Sequence, residues 1–267
     1  MVFLICLVLS LTAHARNSGD PAPASTYLGN EGLMIAHGDT KVLFDPFFAK
    51  DFGIYQSVPK AIRKAIFGNE PPFDGIDAIV VSHAHDDHFS AADMIRYLKS
   101  NPQTKLIAPD QAIQLVEELA DNDSVSNQLI AIKLEVGDKP VLTELTGLQI
   151  EGVRIPHAGG QRMAAVSNLV FRVHLNGQAT IMHLGDADPD DAHFLPHQAH
   201  WKKFSSDIAY PPYWFFVQGD GPNILAERIN ARQSIGIHVP HRVPEKLRRS
   251  GAPYLHTPGE RALIPVE

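Results

Sequence analysis

The residues best equipped for chemistry lie in one run, His83-Ala84-His85-Asp86-Asp87-His88. Imidazoles and carboxylates packed this closely form a nitrogen–oxygen ligand set of borderline hardness, suited to Zn²⁺, Mn²⁺ or Fe²⁺. The run directly follows Ile79-Val80-Val81-Ser82, part of an apolar, β-branched stretch that predicts a buried strand over residues 76–82. Side chains at a strand end alternate with period two, so His83 and His85 point the same way. The turn after them can aim Asp87 and His88 at a second position close by. The chain has 14 His but one Cys, Cys6. That excludes a disulfide framework or a Cys-rich zinc module, and any metal must be held by His and carboxylate.

The elements that must position this run belong to an ordinary globular chain of 267 residues, 44% hydrophobic and 20% charged. The net charge of -7 argues against nucleic acid as a partner, because phosphate binding leaves a basic footprint. Residues 2–11 are almost wholly apolar, and Ala13-His14-Ala15 reads as a cleavage site. Residues 1–15 are therefore expected to be a Sec-type signal peptide, too short for a transmembrane helix. Cleavage would remove Cys6 and send the product to the periplasm or out of the cell, with no transmembrane segment left. Residues 16–25, with Pro21 and Pro23, read as a disordered lead-in to one domain over residues 26–267.

Within that domain a hairpin is expected around His37-Gly38-Asp39, and Val58, Ala61, Ile62, Ala65 and Ile66 fall at helical spacing. Ser90 with Asp93 resembles a capping box opening a helix through Leu98, and Pro109 opens another. Further strands are expected at residues 105–108, 129–134, 148–155, 169–175, 179–184, near Ile208 and at 234–239, with helices at 224–232 and 244–249. Helices between blocks of strands, some of them adjacent hairpin strands, suit an α+β chain. Two mixed sheets flanked by helices, an αββα sandwich in four layers, fit better than a doubly wound sheet.

The opening Gly32-Leu33-Met34-Ile35, the segment Lys41-Val42-Leu43-Phe44-Asp45-Pro46-Phe47 and the run from His83 to His88 together resemble the metallo-β-lactamase superfamily. The similarity extends over nearly the whole mature chain and is greatest to the compact lactonase- and phospholipase-like branch. It implies that αββα fold and a metal-dependent hydrolase with two divalent ions, Zn first and Mn or Fe as alternatives, and no organic cofactor. Carried over residue by residue, it implies a first site of His83, His85 and His157, a bridging Asp186, and a second site of Asp87, His88 and His238, with His241 as the rival to His238. Asp45 is implied to orient a ligand histidine rather than to bind metal. His174 and His183 read as sheet histidines, and His193, His197 and His200 as a solvated loop.

The chemistry implied is a metal-bridging hydroxide attacking carbonyl carbon or phosphorus, with Asp87 or Asp186 as proton carrier. The family resemblance implies ester, lactone, amide or phosphodiester cleavage in a small or lipid-like substrate. A fold does not choose among these bonds. The insertion at residues 50–73 reads as a lid and Tyr210-Pro211-Pro212-Tyr213-Trp214-Phe215-Phe216 as an aromatic lip. Lys60, Arg63 and Lys64 offer weak peripheral contact with anionic lipid. Rival readings are a β-lactamase proper and an exported zinc-binding protein without turnover.

Overall fold

The structure, a computed structural model, describes residues 21–120 and 124–266. The expected signal peptide, Cys6 and the first part of the expected lead-in lie outside the described residues. The rest of the lead-in differs from expectation, because Ala24 and Ser25 already belong to a strand, β1 (Ala24–Gly29). β1 turns at Asn30-Glu31 into β2 (Gly32–His37), which pairs with β3 (Thr40–Phe44) through the expected hairpin. A long connection carries α1 (Lys60–Phe67), followed by β4 (Ala78–Val80). α2 (Ala91–Ser100) then leads to β5 (Lys105–Pro109), and α3 (Asp110–Leu119) to β6 (Leu129–Ile132). Ser90 caps α2 as its spacing predicts, its side chain accepting from the Asp93 amide at 3.4 Å.

β7 (Val141–Leu145), β8 (Leu148–Arg154), β9 (Leu169–Leu175) and β10 (Ala179–His183) form an antiparallel meander. After the short helices α4 (Asp191–Phe194) and α5 (Gln198–Lys203), β11 (Ile208–Tyr210) joins β10 in parallel. α6 (Gly221–Glu227), α7 (Glu245–Ser250) and β12 (Arg261–Leu263) complete the described chain. The strands make two mixed sheets, in the orders β12-β1-β2-β3-β4-β5-β6 and β11-β10-β9-β8-β7.

Strand periodicity explains the layers. Val42 and Phe44 point between the sheets, where they join Leu33, Ile35 and Val80 against Ile150, Phe171, Val173 and Ile181. Leu43, between them in sequence, points the other way and packs with Met94, Leu98, Ile113 and Val116 under α2 and α3. The outer face of the second sheet buries Val170 and Met182 against Phe194, Trp201, Phe215 and Ile224. Sheets covered on both faces read as continuous apolar runs, so residues 76–82 look like a strand from the sequence alone.

Two sequence expectations fail near the C-terminus. Residues 234–239 form no strand: Ser234, Gly236 and Ile237 make single bridges to different partners, and His238 has φ 57°, which breaks the extended run. The helix expected at 224–232 begins and ends earlier, at Gly221–Glu227, before Asn230 takes up a positive φ.

The expected solvated loop of His193, His197 and His200 also needs correction, since these residues lie on or beside α4 and α5. His197 is buried, and the His200 ring lies 3.5 Å from Glu151. Fully buried Arg172 pairs with Glu151 through Nε and donates to the Trp201 and Phe204 carbonyls at 3.3 and 3.2 Å, pinning α5 to the sheet. Burial pushes the Glu151 carboxyl up, but His174, His200 and Arg172 more than offset this and hold it below the usual carboxylate range. A carboxylate depressed in this way stabilises the fold above its unfolded pKa of about 4.3 and loses that contribution as pH falls. Glu151→Gln is expected to cost about 3 kcal/mol at pH 7, because Arg172 stays buried without its counter-charge. It should also flatten the acid limb of a urea-midpoint-against-pH profile; an acid limb as steep as wild type would count against the cluster.

Candidate metal centre

Four chain breaks at strand ends and loops converge on one point. After β4 the chain makes a tight turn, with the His88 and Phe89 amides donating to the His85 carbonyl at 2.9 and 2.8 Å. This turn brings the His83 and His85 rings together, Nε2 to Nδ1 at 3.0 Å. His157, just past β8, sets its ring edge-on to both, with centroids at 4.8 and 4.7 Å. The Ala158 amide donates to the Asp186 carbonyl at 2.7 Å, and the Asp188 amide to the Pro156 carbonyl at 2.8 Å, which locks the loops after β8 and β10 together. The Asp186 amide is held at 3.0 Å by Asn168 Oδ1. Gly185 has φ 52°, and a Cβ there would lie 2.4 Å from Asn168 Oδ1 and 2.7 Å from the Ser82 side chain. Only glycine permits this approach.

Asp186 stands between two groups. Its Oδ2 lies 3.2 Å from His157 Nε2, on the side of His83 and His85. Its Oδ1 lies 3.2 Å from His238 Nε2 and 3.5 Å from His88 Nε2. Asp87 Oδ2 completes this second group, 3.7 Å from each of those two nitrogens. The ligand atoms of His83, His85 and His157 fall within 4.8 Å of one another, as do those of Asp87, His88 and His238. All seven residues singled out from the sequence are therefore brought together. His241 is not among them; it is exposed, and its amide donates to the Ile54 carbonyl at 2.8 Å.

The rear ring nitrogens reveal which atoms face the centre. His88 Nδ1 donates to Asp45 Oδ2 at 2.9 Å, and His157 Nδ1 to the Ala158 carbonyl at 2.5 Å. Ser82 Oγ donates to Asp45 Oδ2 at 2.5 Å and so accepts from His83 Nδ1 at 3.0 Å. Asp45 thus orients His88 directly and His83 through Ser82. Each of these histidines turns its Nε2 inward, where it meets other ring nitrogens and carboxylate oxygens. His88 Nε2 lies 3.3 Å from His238 Nε2, while His157 Nε2 and Asp186 Oδ1 are buried without a hydrogen-bond partner. Such a convergence costs several kcal/mol unless a cation fills it. Divalent metal therefore fits, and the nitrogen–oxygen donor set suits borderline ions.

The electrostatics agree. Burial lowers the His83 and His85 pKa values, which keeps both imidazoles neutral and able to ligate. Burial opposes charge on Asp186, but His238, His88 and His157 overcome it and hold the carboxyl well below its usual range. Burial works against protonation of His88, but Asp186, Asp45 and Asp87 lift it to about 10, so a cation held among these carboxylates would have to displace a proton from its Nε2.

Residues 25–199 match the family described as the β-lactamase superfamily domain. The chain belongs to the metallo-β-lactamase superfamily of metal-dependent hydrolases. It is similar to Protein Rv0786c of Mycobacterium tuberculosis, 27% identical over 69% of this chain and 76% of that one. It is also similar to a UPF0173 metal-dependent hydrolase of Aeropyrum pernix, 27% identical over 60% of each chain. Among solved structures it resembles Igni18, a metallo hydrolase of Ignicoccus hospitalis, with TM-score 0.62 and 16% identity over 92% of this chain and 100% of that one.

Three residues around this metallo-β-lactamase centre escaped the sequence reading. Asn30 accepts the His238 amide on its carbonyl at 3.1 Å, while its Nδ2 donates to the Asp87 carbonyl at 2.8 Å. Glu31 is fully buried, 3.8 Å from His88 and from His183; burial, then the Asp186 charge, push its carboxyl well up. A polar hairpin turn gave no signal that it would be covered. Tyr55, from the insertion, sets its ring edge-on to His238 at 4.1 Å. Burial, then Asp186 and Asp87, raise its phenol.

Proposed function

We propose that this protein is an exported hydrolase with a pair of divalent ions, zinc foremost, that cleaves uncharged carboxylic esters or lactones. The supporting observation is the cavity at the centre, about 430 Å³, bounded by His157, Gly159, Asp186, Asp188, Trp214 and Gln218 among others. Its lining carries two carboxylates and neither lysine nor arginine. Asp87, Asp186 and Asp188 would offset three of the four charges of two divalent ions, and with no lysine or arginine in the lining a phosphodiester anion keeps a repulsion from Asp188 that little cationic charge balances. A neutral acyl group meets no such penalty, and the Trp214 indole offers it an apolar wall.

When bound, the ions would supply Lewis acidity toward the carbonyl oxygen and lower the pKa of water toward about 7. The chain's own residues do the rest. Asp186 presents one oxygen to each half and so fixes their separation. Asp87 Oδ2 sits at the edge of the second half, placed to take a proton from water and return it to the leaving oxygen. Trp214 Nε1 is committed to the Ala187 carbonyl at 3.1 Å, which holds the indole against the opening.

Export and peripheral membrane contact belong to the same proposal. Among the described residues no helix is long and apolar enough to cross a membrane. Lys60 and Lys64 are exposed on α1, whereas Arg63 is paired with Asp93 at 2.5 Å. Cell fractionation tests this part, and recovery of the unprocessed chain from the cytosol would contradict it.

The activity is tested with 4-nitrophenyl butyrate, a γ-lactone, bis(4-nitrophenyl) phosphate and a chromogenic β-lactam. The expected result is ester or lactone turnover at least about tenfold above the other two, lost on chelation and restored by zinc or manganese. Faster phosphodiester cleavage would overturn the substrate class. A dominant β-lactam rate would make this a β-lactamase proper, and tight metal without turnover a binding protein.

A further inference from the structure

The insertion between β3 and α1 is anchored across the second half of the centre. The Ala49 and Lys50 amides donate to the Asp86 carbonyl at 2.7 and 2.9 Å, inside the turn that carries Asp87 and His88. Further along, the Ile54 carbonyl accepts the His241 amide, three residues past His238. Asp51 stiffens the span between these anchors by accepting from the Gly53 amide at 2.9 Å and from the Ser57 hydroxyl. Tyr55 lies beside the second anchor, and its ring meets His238 at 89°.

Around His238 the aromatic groups differ in what they have left to offer. Trp214 packs on the same imidazole, with centroids 5.2 Å apart, but its N–H is spent on the Ala187 carbonyl. The carboxylates of Asp87 and Asp186 can only accept. The Tyr55 hydroxyl has no hydrogen-bond partner among the described residues, and the side chain is partly exposed. The insertion thus brings an unpartnered hydroxyl donor to the His238 side of the centre, beside carboxylates that only accept.

We propose that Tyr55 is a catalytic residue that contacts substrate, its hydroxyl donating a hydrogen bond to the leaving oxygen of the acyl group. This rests on the ester or lactone reading above. As the acyl C–O bond breaks, its electron pair goes to the leaving oxygen and negative charge develops there, where a preplaced donor is most effective. Water supplies the oxygen that bonds to the acyl carbon. One of its protons ends on the leaving oxygen and the other is released with the carboxylic product, while Tyr55 keeps its own. The donor should matter little for a good leaving group and much for a poor one.

The test compares wild type with Tyr55→Phe, which keeps the ring against His238 and removes only the hydroxyl. For ethyl butyrate kcat is expected to fall about 10- to 100-fold, and for 4-nitrophenyl butyrate less than about threefold. Metal content and melting temperature should not change. Independently of turnover, ethyl butylphosphonate, a tetrahedral analogue whose ethoxy oxygen stands in for the leaving oxygen, should bind Tyr55→Phe about fivefold more weakly by calorimetry. Unchanged phosphonate affinity overturns the contact, and so does an equal loss on both esters, which marks a packing role. If wild type cleaves no ester or lactone but the affinity still falls, the Tyr55 contact stands and the ester assignment fails.

Discussion

Asp186→Asn is expected to lower turnover by about 10²- to 10⁴-fold and to reduce bound metal well below the wild-type level. The carboxylate faces both halves, with Oδ2 toward His157 and Oδ1 toward His88 and His238. At about 1.4 kcal/mol per decade the fall in turnover corresponds to about 3–5 kcal/mol of barrier, a loss on the scale of removing a preplaced charge from the reacting centre. The fold should survive, because the contacts that close the loop use the Asp186 backbone: its amide to Asn168 and its carbonyl to Ala158. Elemental analysis and circular dichroism on the same preparation separate the two effects. A variant with native spectrum, full metal and full activity would remove Asp186 from the centre.

Asp45→Asn is the second large effect, although Asp45 need not touch metal. Oδ1 accepts the Ser82 amide at 2.7 Å, and Oδ2 receives the Ser82 hydroxyl and His88 Nδ1. Asn tolerates the φ of 39° that Asp45 adopts, so the backbone is not at issue. With its oxygen kept on the Ser82 amide, Asn turns an NH₂ toward His88 Nδ1, donor against donor. The ring must then move its proton to Nε2, and the inward lone pair is lost. Replacing such an orienting group typically costs about 10- to 100-fold in metal affinity. Competition against a chelator of known affinity measures it, and an unchanged constant would show that Asp45 serves only packing.

The seven residues were legible to different depths. The run from His83 to His88 announces itself because its ligands sit within one turn and its strand is apolar on both faces. His157, Asp186 and His238 are each unremarkable in sequence, since what makes them ligands is convergence across loops far apart in the chain. Only the resemblance to a family pointed to them. His238 was reached by way of an expected strand end, whereas its position comes from a left-handed residue held by the Asn30 carbonyl.

What stayed hidden has common causes. Asn30 and Glu31 form a polar hairpin turn, a pattern that reads as exposed, and they are buried only because the loops bearing Asp87 and His238 close over them. β7 and β12 lie at sheet edges with much of their surface exposed, so their alternation is weak. The two short helices after Asp190 carry Pro196 between them and lack the length for a helical period to show. The insertion reads from sequence as a lid, but its backbone is tied to Asp86 through Ala49 and Lys50 and to His241 through Ile54, next to Tyr55.

Inward-facing ring nitrogens and carboxylates are expected to hold two divalent ions. Metal stoichiometry of the purified chain decides this, measured as isolated, after chelation, and after reloading with zinc or manganese. About two equivalents per chain, removed by chelator and restored on reloading, is the expected result. A chain that remains folded yet carries no metal and takes up none would contradict the account.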